Sequence, residues 1–172
     1  MEIVFVVIGV VVAVFGLTVL RGAPYVPTHR SALRALFAST VRLNERDTVL
    51  DIGCGDGIVL REAVRHGARA IGYEINPFLV VIARMASWRL RSRVSVYWAD
   101  FWVKPFPKET TVVYTFGESR DIARMYRAAV QGARHVGHDI TFISYGFRVH
   151  DEPPIAEAHG FFVYRITPLQ PE

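Results

Sequence analysis

The sequence predicts an α/β protein: a mostly parallel sheet with helices on both faces and one late antiparallel strand, preceded by an apolar N-terminal helix. Three observations carry this. Short β-rich runs alternate with helical stretches, the pattern that lays strands parallel with helical crossovers between them. The first run ends in a glycine-crowded loop, "DIGCGDG" at Asp51 to Gly57, where an open α/β sheet meets its ligands. Finally, eighteen uncharged residues separate Glu2 from Arg21, enough for a helix of about 27 Å, close to the thickness of a hydrocarbon core.

Taken in order, the opening segment lacks the basic lead and small-residue cleavage pattern of a secretory signal, since Glu2 precedes it and "VLRGAPY" follows. It reads as a single-pass membrane anchor at residues 1–23 ahead of a domain at 24–172, with a helix buried in the core as the competing reading. Arg21, His29, Arg30 and Arg34 on its C-terminal side place the domain in the cytoplasm by the positive-inside bias. Beyond Pro24 and Pro27, "THRSALRALFASTVRL" sets Leu33, Leu36, Phe37 and Val41 at helical spacing, entered from a Thr28 cap. The β-rich runs are "TVLDIG", "ARAIGYE", "VSVYWAD", "TVVYTF" and "DITFISYGF"; the helical stretches are "IVLREAVRH", "PFLVVIARMASWRL" and "DIARMYRAAVQGARH". "FWVKPFPKET" is a proline-broken loop. The last run, "GFFVYRITP", follows the fifth too closely for a helical crossover, so it is expected to pair antiparallel at the sheet edge.

Apolar residues make up 51% of the 172, which excludes disorder, and the lone Cys54 can form no internal disulfide. The net charge of +4 rests on eighteen arginines and only two lysines, Lys104 and Lys108. A guanidinium surface suits phosphates, nucleic acid or anionic lipid heads, and is also an ordinary solvated exterior. The run "WRLRSRV" holds Arg89, Arg91 and Arg93 without a nucleic-acid module or interleaved aromatics, so nucleic acid is not an expected partner; anionic lipid accounts for it as well. His135 and His138 lack further ligands to complete a coordination shell, and no metal is expected.

Glycines at 53, 55 and 57 let the loop backbone approach a ligand and take positive φ where the turn demands it. A dinucleotide fingerprint would need a glycine at 58, where Ile58 stands. The spacing is D-x-G-x-G-x-G, and Asp51 would repel a pyrophosphate while suiting an ammonium or a hydroxyl. That favours a cofactor with an amino-acid portion. Glu74 ends the second run, placed to take both hydroxyls of a ribose. Asn76 and Pro77 read as cap and first residue of the next helix. The third run ends "WADFW", which sets Asp100 to accept from an adenine amino group and Phe101 to line its ring. Each acid alone could be a turn or cap residue; three in order at strand ends are harder to explain that way.

Over residues 25 to 147 this pattern resembles the class I S-adenosylmethionine-dependent methyltransferases and their Rossmann-like sheet. More closely, "YVPT" at Tyr25 to Thr28, "DIGCGDG", "GYEINP" at Gly72 to Pro77, "RMASW" at Arg84 to Trp88 and "DFW" at Asp100 to Trp102 resemble the membrane-anchored protein-lysine methyltransferases of mitochondria. Those enzymes modify the ATP synthase c-subunit and the adenine nucleotide translocase, and they too carry an apolar segment just before the tyrosine-proline-threonine motif. The resemblance implies S-adenosyl-L-methionine as cofactor and a membrane protein as substrate. It puts Thr28 at the methionine end, Asp51, Gly53, Gly55 and Gly57 beside it, Glu74 at the ribose and Asp100 with Phe101 at the adenine, with Asn76 also among the cofactor-binding residues. The chain departs from the family at Ile58, where arginine is usual, and in an end that offers one late strand where many have two.

Methyl transfer from a sulfonium is an in-line displacement that asks mainly for alignment and exclusion of water. Glu118, in "TFGESR", stands where an acceptor would enter and could orient an incoming amine, with Tyr114 or Phe116 walling the channel; a surface glutamate opening a helix is the plainer alternative. Cys54 reads as a small apolar packer. A methyltransferase for a lipid head group or small molecule shares every cofactor residue, and a non-catalytic cofactor-binding membrane partner shares them too.

Overall fold

The computed structural model describes residues 2, 4, 5, 9, 29–117 and 120–168. Apart from four positions the predicted anchor at 1–23 lies outside them, as do Thr28 and Glu118. Among the described residues no helix is long and apolar enough to cross a membrane.

A seven-stranded sheet runs in the order β3-β2-β1-β4-β5-β7-β6, with β1 Thr48–Ile52, β2 Arg69–Glu74, β3 Val94–Trp98, β4 Val112–Thr115, β5 Ile140–Tyr145, β6 Ala156–Ala158 and β7 Phe161–Ile166. The first five strands are parallel, and β7 is antiparallel to β5 with Phe142 opposite Tyr164. Strand order reverses between β1 and β4, which opens a crevice at their carboxyl ends. Residues alternate between the two faces. Val49, Ala70 and Val112 join one core with Leu33, Leu60 and Val80 from helices α1 Arg30–Ala35, α2 Ile58–Arg65 and α3 Pro77–Ala86. Leu50, Ile71 and Val113 join the other with Ile122, Met125 and Ala129 of α4 Ile122–Val136.

Local chemistry sets the helix ends. Asn76 caps α3 by accepting from Phe78 N at 3.0 Å, with Pro77 in the first helical position, as expected. The first helix differs from expectation: it starts at Arg30, and His29, in the cap position, makes no side-chain cap bond. It then widens into a π-helical turn over Leu36–Thr40, with Val41 N bonding Leu36 O at 2.9 Å. Ser39 Oγ donates to the Ala35 carbonyl at 2.7 Å, competing with the backbone for that acceptor. Leu36 and Phe37 stay buried, and Arg34, Arg65 and His66 converge on the buried Glu62, tying α1 to α2. Gly132, inside α4, makes room for the Phe106 ring, which a Cβ there would meet at 2.2 Å.

The end of the chain corrects the expectation of a single late strand at the edge. β7 lies between β5 and a further strand, β6, joined to β7 by a two-residue hairpin in which His159 and Gly160 have φ of 53° and 82°. Positive φ at both turn residues matches the twist of an antiparallel pair. Strand β6 is three residues of alanine and glutamate, so it carries no β-rich signal and exists because β7 holds it.

Candidate functional site

The site begins where β1 ends. Asp51 occupies the fourth position of the strand, paired with Gly72 of β2 and Tyr114 of β4, and is 2% exposed. The chain then turns back on β2: Gly53 N and Cys54 N both donate to Tyr73 O, at 2.8 and 3.0 Å. Gly53, Gly55 and Gly57 all take positive φ, at 91°, 53° and 77°. A Cβ on Gly53 would meet nothing within 4 Å, so backbone conformation selects glycine there and the space beside it stays open. Cys54 is buried with its Sγ over Gly72, where any Cβ would fall 2.5 Å away. It is a packer, as its sequence context suggests.

Glu74, at the end of β2, joins three segments. Its Oε2 accepts from Gly55 N at 2.9 Å and its Oε1 from Asn76 N at 2.8 Å, while its carbonyl accepts from Ala99 N at 3.0 Å. The glycine loop, the start of α3 and the exit of β3 are thus held on one residue, itself 7% exposed. Each carboxylate oxygen has a further lone pair after one backbone bond. Asp51 is different: no described residue hydrogen-bonds its carboxylate. Burial first, then the negative charges of Glu74 and Asp56, hold its pKa well above the usual carboxylate range. Burial likewise pushes the Cys54 thiol up, with Asp51 and Glu74 adding to it.

Six of the predicted site residues, Asp51, Gly53, Gly55, Gly57, Glu74 and Asn76, therefore gather at the ends of β1 and β2. Asp100 and Phe101 follow β3 by a short turn. The half-buried Asp100 accepts from Trp102 N at 2.9 Å through Oδ1, and its carbonyl accepts from Val103 N and Lys104 N. Phe101 stacks on Trp102 at 4.3 Å between centroids, and both lean on the α4-side core; Arg124 lies 3.8 Å over the Trp102 ring. Tyr73 donates to Pro105 O at 2.9 Å and pins the same loop from beneath; burial, with Tyr97 and Glu109 nearby, pushes its phenol up to about 12. Tyr114 is buried in the core, and Phe116 is half-buried against Tyr145 at 4.9 Å.

Sequence reading missed the brace behind the loop. Asp56 Oδ1 accepts from Ile58 N at 3.1 Å, and Arg61 reaches back to pair Asp56 Oδ2 at 3.2 Å and to bond its carbonyl. Arg61 stands one helical turn beyond Ile58 in α2. The five-residue spacing of Asp56 and Arg61 was the available signal.

Comparison with known proteins agrees with this geometry. The ANTKMT methyltransferase domain model matches residues 51–156. The ATP synthase c-subunit lysine N-methyltransferase of Xenopus laevis is 33% identical over 92 residues, 52% of this chain and 40% of that protein. The adenine nucleotide translocase lysine N-methyltransferase of Mus musculus is 42% identical over 57 residues, 31% of this chain and 25% of that protein. The chain thus spans less than half the length of these relatives. An RNA methyltransferase from Salinibacter ruber, solved in complex with S-adenosyl-L-homocysteine, superposes with a TM-score of 0.73 at 24% identity, covering 86% of this chain and 97% of that one. That last likeness is one of fold.

Proposed function

The chain belongs to the ANTKMT methyltransferase domain family, and from that premise we propose that it transfers a methyl group from S-adenosylmethionine to a lysine of a membrane-associated protein. One observation carries the cofactor part: a buried aspartate that no described residue hydrogen-bonds, beside a glutamate that already binds two backbone N–H groups. An isolated buried carboxylate is costly unless a cation joins it. The fit to S-adenosylmethionine is chemical. Asp51 would take the ammonium of the amino-acid part, Glu74 the ribose hydroxyls through its remaining lone pairs, and the open space at Gly53 the close approach of the chain between them. Asp100 and Phe101 are proposed at the adenine.

When bound, the cofactor supplies a methyl group on a positively charged sulfur. The protein's own part is alignment: Glu74 fixes loop, helix and strand exit together, so the reacting groups meet in a set geometry. The acceptor amine must be neutral, and a desolvated position near a positive charge lowers its pKa in that direction. Glu118, beside Gly117 in the sequence, is proposed to orient the amine. A Glu118→Ala protein with full turnover removes that role.

The lysine acceptor rests on the relatives' names, and the membrane setting rests also on the uncharged residues between Glu2 and Arg21, proposed as a single-pass anchor with the domain facing the cytoplasm. Both are tested together. The full chain in membranes is given methyl-labelled cofactor and the label is partitioned. Label in a protein band, at lysine, supports the reading; label in lipid transfers it to a head-group methyltransferase; calorimetric binding without any transferred label leaves a cofactor-binding partner protein.

A further inference from the structure

Helix α3 is apolar on two sides. Val80 and Ala83 are buried against the sheet, as an amphipathic helix requires. The outward stripe, however, is Phe78, Val81, Ile82 and Met85, at 40, 54, 49 and 72% exposure. Trp88, in the 3₁₀ turn that follows, and Trp98, at the end of β3, extend it at 65 and 68%. A surface helix ordinarily turns polar residues outward, and an apolar band of this extent marks a contact with something apolar. The long polar side chains within the band are already satisfied. Arg84 donates through Nε and Nη2 to Val96 O at 3.0 and 2.8 Å, and Trp98 Nε1 donates to Ile75 O at 2.9 Å. The first pair also blocks the β3 edge against further strand pairing.

Charge identifies the occupant. Positions 75–99 contain no acidic residue and four arginines, Arg84, Arg89, Arg91 and Arg93. Arg84 is bound to the strand, and Arg93 reaches Gly67 O at 3.4 Å and Glu45 at 4.0 Å; Arg89 and Arg91 follow the stripe, and the Arg91 guanidinium lies 4.4 Å over the Trp88 ring. An apolar helical stripe with tryptophans at its margin and arginines beside it is the composition of a helix lying in a membrane interface.

We propose that this face seats on a bilayer bearing anionic head groups, with the stripe from Phe78 to Trp88 and Trp98 entering the interface while Arg89 and Arg91 meet lipid phosphates. The contact is separate from the apolar opening of the chain and does not depend on methyl transfer. It has a consequence for the site. Because α3 starts at Pro77, directly after the Asn76 whose N–H binds Glu74, seating this helix brings the mouth of the site to the level of the head groups.

Of the chain's three tryptophans, Trp88 and Trp98 lie on this face and Trp102 packs on the α4 side, and none precedes Arg21, so the Trp88 and Trp98 share of the fluorescence reports this face even when the opening segment is itself in the bilayer. The full chain is reconstituted in phosphatidylcholine–phosphatidylglycerol vesicles with brominated acyl chains. Expected is loss of about half the emission relative to unbrominated vesicles, as for indoles sunk roughly 5–10 Å into the interface. A Trp88→Phe, Trp98→Phe chain should lose that quenching, and an Ile82→Glu, Met85→Glu chain should lose most of it with its unfolding midpoint unchanged. The Arg89→Gln, Arg91→Gln chain should quench equally in anionic and zwitterionic vesicles. Unquenched emission from vesicle-bound, unsubstituted protein overturns the proposal without any variant. So does a blue shift without bromine quenching, which would mean that a segment of this chain, a second copy or a protein partner covers the face. Failed quenching leaves the cofactor reading untouched, since calorimetric binding tests that separately.

Discussion

The two halves of the sheet treat the inside and outside of the protein in opposite ways. Around β1, β2 and β3, carboxylates are buried at Asp51, Glu62 and Glu74, while Phe78, Val81, Ile82, Met85 and Trp98 face outward. Around β4, β5, β7 and β6, rings fill the interior: Tyr126 meets Phe142 and Tyr164 at 5.5 and 5.6 Å, and Tyr145 meets Phe161 at 4.5 Å. Burying rings stabilises; burying a carboxylate without a partner, as at Asp51, and exposing apolar stripes does the reverse, whereas Glu62 meets Arg34, Arg65 and His66 and Glu74 meets two backbone N–H groups. The second half therefore gains more from ring packing, while the first gives up stability at Asp51 and along the outer stripe. The lesson is that the half breaking the usual inside and outside rule is where ligands and surfaces should be sought.

The comparison breaks most visibly at Phe142. It is fully buried between Tyr126 and Tyr164, and Phe142→Ala should cost about 3–5 kcal/mol in chemical denaturation. Cofactor affinity of the molecules that remain folded should be unchanged. If affinity falls in step with stability, the halves are not separable. Next is Gly72→Ala, whose new Cβ would press on Cys54 Sγ and on Leu60 Cδ1 at 2.5 and 2.7 Å. Overpacking there should cost about 1–3 kcal/mol, and because Cys54 lies in the glycine loop, calorimetry should show weakened cofactor binding as well. Asn76→Ala removes a helix cap worth about 1 kcal/mol, measurable as a lowered unfolding midpoint.

The smallest change in stability has the opposite sign. Asp51 has a folded pKa raised by burial and by Glu74 and Asp56. The folded state then binds the proton more tightly than the unfolded one, so this residue's contribution to stability is greatest below about pH 3.9 and declines as pH rises through the folded value. Asp51→Asn should remove that decline: the midpoint at neutral pH rises and its pH dependence flattens. Affinity for S-adenosylmethionine should meanwhile fall about ten- to a hundredfold, the worth of one charged hydrogen bond. A variant that is destabilised and still binds would reverse the assignment of this half as the one that trades stability for binding.

Much of this was legible in the chain. The β-rich runs and helical periods mark β1 to β5, β7 and the helices, because alternation and 3.6-residue spacing are local properties of residue order. The glycine loop and the acids at 51 and 74 were legible for the same reason: Gly53, Gly55 and Gly57 lie close to one another in the chain and in space. Strand β6 was not, since Ala156, Glu157 and Ala158 have no strand preference and pair only because the His159–Gly160 turn lays them on β7. The π-helical turn was hidden because one widened backbone bond, Val41 N to Leu36 O, leaves the apolar spacing of Leu33, Leu36 and Phe37 unchanged.

Residue order by itself determined the alternating plan, the loop chemistry at the end of the first strand and the concentration of arginine after α3. Only the tertiary structure decided that Asp51 is buried without a hydrogen-bonding partner among the described residues, that Glu74 joins three segments, and that α3 shows an apolar face to the outside. Burial and partnership depend on what arrives from elsewhere in the chain. The helix α3 covers an edge strand, β3, so nothing described packs over its outer stripe, and no count of apolar residues along the helix contains that fact.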